Sequence, residues 1–514
     1  GLQRQHLLLI FILLGAAVLR LYRLDQAGLW YDELYTVWAS GLPVTDIVPE
    51  AAASGHPPLY YLLMHAWLIP GSGDTWVLLF SALAGLVTVW LTFLAGKEMF
   101  SPQAGLWGAA FAAVSPLLVW YSREATMYSF LVALSLLSFY LLARCARRGG
   151  WKNWCGYVAA TIAALMTSFL SPVLLAAQVP LYWLLRDGQR SRPRHWFISQ
   201  AALAAIALGI VLLARTWTTE GWATWTWPSL PQVLNGIVRA PYVLTGGWII
   251  EASAGFPHPE MPDIPVWFLW LGAGLFLIVC AAAITAVAGW RQYLPQRNTI
   301  AVAVCTFILF VAPAIILSAI SRAASARFYA WATPALFLLV AAALGAMPSK
   351  ARRAAGLLTV VVLFAFTVWE VGFLPRMAGD WRGIFSAIEE DAREGDMLVC
   401  FPLHHCVVAA DHYLPAPDGA GAMLVSGGIP VSGSPAVYFL PFGESWTGYR
   451  SGYFGEGGKS SPLSGAEMDE RLRVEVAGAR RVWLVTEDES YGGYPSTGEI
   501  LRFLGEEWTL SGHW

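Results

Sequence analysis

The stretch HLLLIFILLGAAVLRLYRLDQAGLWYDELYTVWASG, residues 6–41, decides the fold. Its first half is an apolar run, and about 20 such residues are enough to cross a bilayer as a helix. Its second half is rich in aromatic residues and carries two adjacent carboxylates, Asp32 and Glu33, just past the end of that run. Acids at the edge of an apolar membrane need a partner or a task. From Asp32 onward the spacing is helical: Leu34, Val37, Trp38 and Gly41 share one face, and Asp32, Thr36 and Ser40 another. This predicts a helix in the membrane plane with its acidic end turned toward a cavity. Neighbours on a helix point about 100° apart, so one carboxylate can face a substrate while the other caps or pairs. A second reading stays open, in which both acids only complement the helix dipole.

The whole chain fits this beginning. Its 514 residues are 57% hydrophobic and only 13% charged, against roughly 25% charged in soluble domains, and the mean hydropathy is +0.54. A polytopic α-helical membrane protein follows. A net charge of −2 gives no case for nucleic acid as a partner. Six cysteines are too few for a disulfide scaffold. Cys145, Cys155, Cys280 and Cys305 lie in or beside apolar runs, where thiols act as small hydrophobes. Cys400 and Cys406, in CFPLHHC with His404 and His405, leave a short-loop disulfide, a metal site and free thiols all open. Gly1 in place of Met reads as a processed or tagged end, and the first run, lacking an A-x-A-like cleavage site, is expected to stay as an anchor.

Eleven segments have the length and apolarity of spans: 5–22, 76–96, 103–121, 127–143, 154–170, 172–186, 197–214, 266–289, 299–320, 328–347 and 354–374. The run 57–69 is shorter, opens on Pro57-Pro58 and contains His65, so it is expected to lie along the surface. Basic residues test the count, because Lys and Arg in short loops mark the cytoplasmic side. With the N-terminus inside, Lys97, Arg144, Arg147, Arg148, Lys152, Arg186, Arg190, Arg192, Arg194, Arg291, Arg297, Lys350, Arg352 and Arg353 all fall in cytoplasmic turns. Counting 57–69 as a span would put them outside. The expected organisation is a membrane module, 1–375, with external segments at 23–75 and 215–265, followed by an external soluble α/β domain, 376–514. Strands are expected at 396–401, 436–441 and 481–486, with a helix at 465–479.

Polar residues cluster on the external side. GHPPLYYLLMHAW, 55–67, places His56 before a proline-led helix containing Tyr60, with His56 either a cap or a site residue. WYSREATMYSF, 120–130, packs Arg123, Glu124 and Tyr128 into one membrane-edge turn, as a self-satisfied ion pair or as part of a polar site. SRAASARFYAWATP, 321–334, adds Arg322, Arg327 and Tyr329. Trp217, Trp222, Trp225 and Trp227 read as an interfacial belt or as contacts for sugar or isoprenoid.

Taken in order, W-x-D-E after the first span, H-P-P-L-Y-Y, S-A-L-A-G at 81–85, S-x-E-A-x-M-Y, and R-F-Y before an apolar span resemble glycosyltransferase family 39. That family belongs to the GT-C membrane glycosyltransferases, with the protein O-mannosyltransferases and lipid A aminoarabinose transferases. The resemblance runs from about residue 20 to 415, including GDWRGIFSAIEEDAREGDMLV at 379–399. It implies a GT-C fold and an inverting transferase that moves a sugar from a polyprenyl-phosphate carrier to a protein, lipid or glycan acceptor on the external face of the cell membrane. By resemblance Asp32 is the catalytic residue, with Glu33 beside it as a further candidate; His56, Tyr60, Arg123, Glu124, Tyr128, Arg322, Arg327 and Tyr329 are candidates for substrate binding. No cofactor is required, because arginines can hold a departing phosphate, and a divalent metal is left open because family members differ. Many relatives carry Arg where this chain has Leu78 and Thr126, and Arg123, one turn before Thr126 in a helix, would supply that charge. The alternative is a transporter or flippase for an amphiphilic solute. Transporters gather ionisable groups at midplane and often show repeats, whereas here the acids and most external arginines sit at one edge.

Overall fold

The computed structural model describes residues 2–217 apart from 25, 27 and 55, residues 296–373 apart from 320–325 and 346, and the segments 381–391, 397–401, 408–409, 412–413, 436–438 and 482–486. Helices run in order as α1 (Leu2–Leu21), α2 (Tyr31–Gly41), α3 (Val44–Ala53), α4 (Leu59–Leu68), α5 (Asp74–Met99), α6 (Pro102–Ala113), α7 (Pro116–Tyr121), α8 (Met127–Arg148), α9 (Trp151–Leu165), α10 (Pro172–Leu185) and α11 (Pro193–Trp217). After them come α12 (Gln296–Ala319), a 3-10 segment (Ala326–Ala332), α13 (Thr333–Gly345), α14 (Ser349–Phe373) and α15 (Trp381–Asp391). Among the described residues, six helices are long and apolar enough to cross a membrane unaided. The protein is a multi-pass membrane protein. The expected spans within the described residues fall on helices, and 266–289 lies outside them. The run 57–69 forms α4, ten residues long and too short to span.

One expected span is broken. The run 103–121 divides into α6 and α7 because Pro116 has no N–H to give the Ala112 carbonyl one turn back. Carbonyls freed inside a membrane protein must find other donors. Arg20, completely buried, supplies them from the end of α1: Nη1 donates to Ala113 O at 3.0 Å and Nη2 to Ala112 O at 3.3 Å. Thr367 Oγ1 on α14 donates to Val114 O at 2.8 Å. The break is therefore sealed from two neighbouring helices. Elsewhere packing relies on small residues, as membrane helices require. A Cβ on Gly96 of α5 would lie 2.6 Å from Gly105 Cα on α6, so only glycine permits this crossing.

The basic turns that follow α5, α8 and α10 meet at one end of the bundle. Arg147 donates to the carbonyls of Glu98 and Met99, Arg148 pairs with the Glu98 carboxylate, and Asp187 N donates to Ala146 O at 2.8 Å. At the other end α2, α3 and α4 form a separate layer around Leu29, Leu34, Ile47, Ala51 and Tyr61. His65 Nδ1 lies 2.7 Å from Ser40 O and joins α4 to α2. Trp67 and Trp76 stack with centroids 4.5 Å apart, each indole donating to the other's carbonyl, which ties α4 to α5.

Trp381, Phe385, Ile388, Val408, Ala409 and Val485, beyond the last membrane helix, pack into the same layer. Strands β1 (Met397–Phe401), β2 (Ala436–Tyr438) and β3 (Val482–Thr486) form a parallel sheet in the order β2-β1-β3. The helix expected at 465–479 lies outside the described residues.

Candidate functional site

The first turn of α2 decides where its two carboxylates point. Trp30 is the N-cap, so Asp32 and Glu33 are the second and third helical residues, where the helix dipole favours acids. Glu33 is fully buried and turned inward. Its Oε2 accepts the Trp30 N–H at 2.9 Å and its Oε1 accepts the Ala125 N–H at 2.8 Å. The candidate catalytic Glu33 thus pins the start of α2 to the turn between α7 and α8. Asp32, about 100° around the helix, keeps its carboxylate partly exposed. Its Oδ2 accepts from Arg327 Nη1 at 3.0 Å, with both side chains 34% exposed.

Arg327 comes from the 3-10 segment nearly 300 residues later. Its guanidinium carbon sits 5.7 Å from the Tyr128 ring centroid and 5.5 Å from that of Phe328, an arrangement that favours a cation by the ring quadrupoles. Its Nε is buried and has no hydrogen-bond partner among the described residues. A small pocket beside it is lined by Tyr128, Ser168, Leu170, Arg327, Phe328 and Trp331. The structure therefore joins Asp32, Tyr128 and Arg327 from three distant segments. Glu124 is buried next to this group, with Oε1 accepting from Trp120 Nε1 at 2.5 Å.

The remaining candidates are distributed around the site. Tyr60 is buried among Tyr61, Phe80 and Phe130, and burial pushes its phenol above the ordinary value. His56 lies 6.4 Å from the Tyr61 ring. Tyr329 is buried in the bundle core. Arg322 and the loop after residue 217, up to 265, lie outside the described residues. Arg123, expected to supply anion-binding charge, has another occupation: Nη1 donates to the carbonyls of Leu19, Arg20 and Tyr22 and Nη2 to that of Arg23. It closes the C-terminus of α1, where cations complement the dipole. Residues 122–126 form a turn, so the one-turn helical relation to Thr126 does not arise. Arg123→Ala is expected to lower stability by about 1–3 kcal/mol, the scale of losing charge-assisted bonds to partly buried carbonyls, read as a lower melting temperature in detergent.

Sequence reasoning missed two features. Arg20 gave no signal beyond one charge near the end of an apolar run. Glu50, buried on α3, accepts the Tyr35 hydroxyl at 2.6 Å, and burial raises its carboxyl above the usual range despite that bond. Among the described residues no three His, Cys, Asp or Glu side chains come together as a metal site. Cys145 and Cys305 are free and buried and Cys155 is free and exposed; Cys406, His404 and His405 lie outside the described residues.

Against solved structures, the chain matches ArnT from Cupriavidus metallidurans in the apo state with a TM-score of 0.50 at 14% identity, covering 80% of this chain and 86% of that one. The chain has the fold of this ArnT. The same ArnT bound to undecaprenyl phosphate matches at a TM-score of 0.48 and 15% identity, covering 80% of this chain and 86% of that one. The Archaeoglobus fulgidus oligosaccharyltransferase, in complex with Zn and sulfate, matches at 0.49 and 12% identity, covering 79% of this chain and 61% of that one. A family model described as dolichyl-phosphate-mannose-protein mannosyltransferase matches residues 55–217 of this chain, a stretch from α4 to α11. No curated protein sequence matches it.

Proposed function

We propose that the protein is an inverting glycosyltransferase that takes a sugar from a polyprenyl-phosphate carrier and passes it to a hydroxyl-bearing acceptor at the external membrane face. The observation that carries this reading is the Asp32–Arg327 pair at the rim of the bundle, on the side opposite the basic turns. A hydroxyl attacking an anomeric carbon must give up its proton, and a carboxylate held within hydrogen-bond reach accepts it. The bond to the carrier phosphate breaks as the new glycosidic bond forms, and the phosphate leaves with negative charge. Arginine's planar fork suits that charge, and Arg327 has a buried Nε still to be satisfied. In this structure base and cation hold each other; a donor phosphate at Arg327 would compete for that cation and release Asp32 as the base. Undecaprenyl phosphate, recorded on the ArnT whose fold this chain shares, is a carrier of the required class.

In the proposed arrangement eleven spans, including 266–289, place residues 376–514 on the external face as an α/β domain, and the membrane is the cell membrane. Glu33 positions α2, and Tyr128 and Phe328 hold the Arg327 cation in place. The test is transfer of labelled sugar from a synthetic polyprenyl-phosphate sugar to an acceptor extract by the purified protein in liposomes. Label leaving the lipid in covalent linkage supports the reading. Label that only changes leaflet, still on the carrier, would favour a flippase.

A further inference from the structure

The catalytic turn is also held from outside the membrane module. Gly28 has a φ of +68°, and a Cβ there would lie 3.3 Å from Arg382 Cβ and from the Tyr413 hydroxyl, so the C-terminal segment sits directly on the turn leading into α2. The next residue, Leu29, donates its N–H to the Tyr413 hydroxyl at 2.8 Å. Tyr413 in turn donates to Asp74 Oδ2 at 3.1 Å, and burial keeps the phenol protonated for that role. Asp74, in the first turn of α5, has a side chain only 8% exposed. It holds His412 Nε2 at 2.9 Å and Arg382 Nη1 at 3.5 Å. Three residues from α15 and the segment after β1 thus converge on one carboxylate of the membrane module. One hydroxyl passes that anchorage to the backbone one residue before the α2 N-cap.

We infer that Tyr413 is a positioning residue for Asp32, so that the chain beyond the last membrane helix takes part in setting the geometry of the reaction. The route is short. Tyr413 fixes Leu29, Trp30 caps α2 while its N–H is held by Glu33, and Asp32 follows two residues later against Arg327. Without the hydroxyl the Leu29 N–H loses its acceptor at a buried position, the turn relaxes, and the carboxylate moves relative to the donor phosphate. Displacement of a catalytic group by about 1 Å can cost up to 10²-fold in rate. This inference rests on the transferase reading for its rate effect, though not for its structural effect.

Tyr413→Phe removes the oxygen and keeps the ring. In the full-length protein it is expected to lower kcat about tenfold with KM for a polyprenyl-phosphate sugar within about twofold. In an Asp32→Asn background it should cost less than about twofold more, because a residue acting through Asp32 has nothing left to position. A general loss of folding would lower both backgrounds equally. Hydrogen exchange of the peptide spanning Leu29 to Glu33 should also rise in Tyr413→Phe. Should that variant fail to fold, Asp74→Asn, which keeps an acceptor for Tyr413 but drops the charge, should show a smaller change in the same direction. Unchanged kcat beside an active wild type, or losses that multiply in the double variant, would overturn the inference and leave the transferase reading intact. If the wild type itself transfers nothing, that reading fails and exchange decides alone: unchanged exchange at 29–33 overturns the positioning role.

Discussion

Asp32→Asn is expected to lower transfer by roughly 10² to 10⁴, the contribution typical of a positioned general base, and to leave folding almost untouched. Asparagine keeps the shape of the side chain and can still accept from Arg327, but it cannot take a proton. The ion pair it replaces joins two side chains each 34% exposed, and pairs at that exposure contribute about 0–1 kcal/mol. Activity and stability should therefore separate in this variant. The check is initial transfer rate and melting temperature measured on the same detergent preparation. Full activity would remove Asp32 from the chemistry. A melting temperature that falls in step with activity would make Asp32 an N-terminal acid serving its helix.

Glu33→Gln, one residue along, should do the reverse. Both Glu33 oxygens accept backbone N–H groups, from Trp30 and from Ala125, in a fully buried position. Glutamine offers one oxygen and one NH2, so one buried N–H would face another donor. Losing charge-assisted acceptance at both sites and leaving a donor unpaired costs roughly 2–4 kcal/mol. A clear drop in melting temperature is expected, with a smaller loss of turnover than in Asp32→Asn. A Glu33→Gln protein with wild-type stability and abolished transfer would exchange the roles assigned to the two carboxylates.

Much of this is legible in the sequence, for physical reasons that differ between residues. Apolar runs of bilayer length mark helices wherever they pack, which is why α1, α5, α8 and α14 fall on expected segments. That Asp32 and Arg327 lie on one side was legible, since both sit at the edges of apolar runs, but their pairing appears only in the structure. The division of labour between Asp32 and Glu33 was not, because it depends on an amide, Ala125, that only tertiary structure brings within reach. The contacts of Arg123 were hidden for a related reason: its partners are backbone carbonyls at the end of α1, and carbonyls carry no sequence signal. Arg20 was invisible until Pro116 broke the neighbouring helix and left carbonyls to satisfy. The Asp74–Tyr413 contact joins residues more than 300 positions apart, beyond any local pattern.

The most direct test of the central claim is a density map of the protein with undecaprenyl phosphate added in a lipid nanodisc. The account predicts phosphate density within about 3.5 Å of the Arg327 guanidinium, the range of a hydrogen bond, with Asp32 beside it. Phosphate bound instead at the basic end, near Arg147 and Arg148, or against α1 far from Arg327, would contradict it.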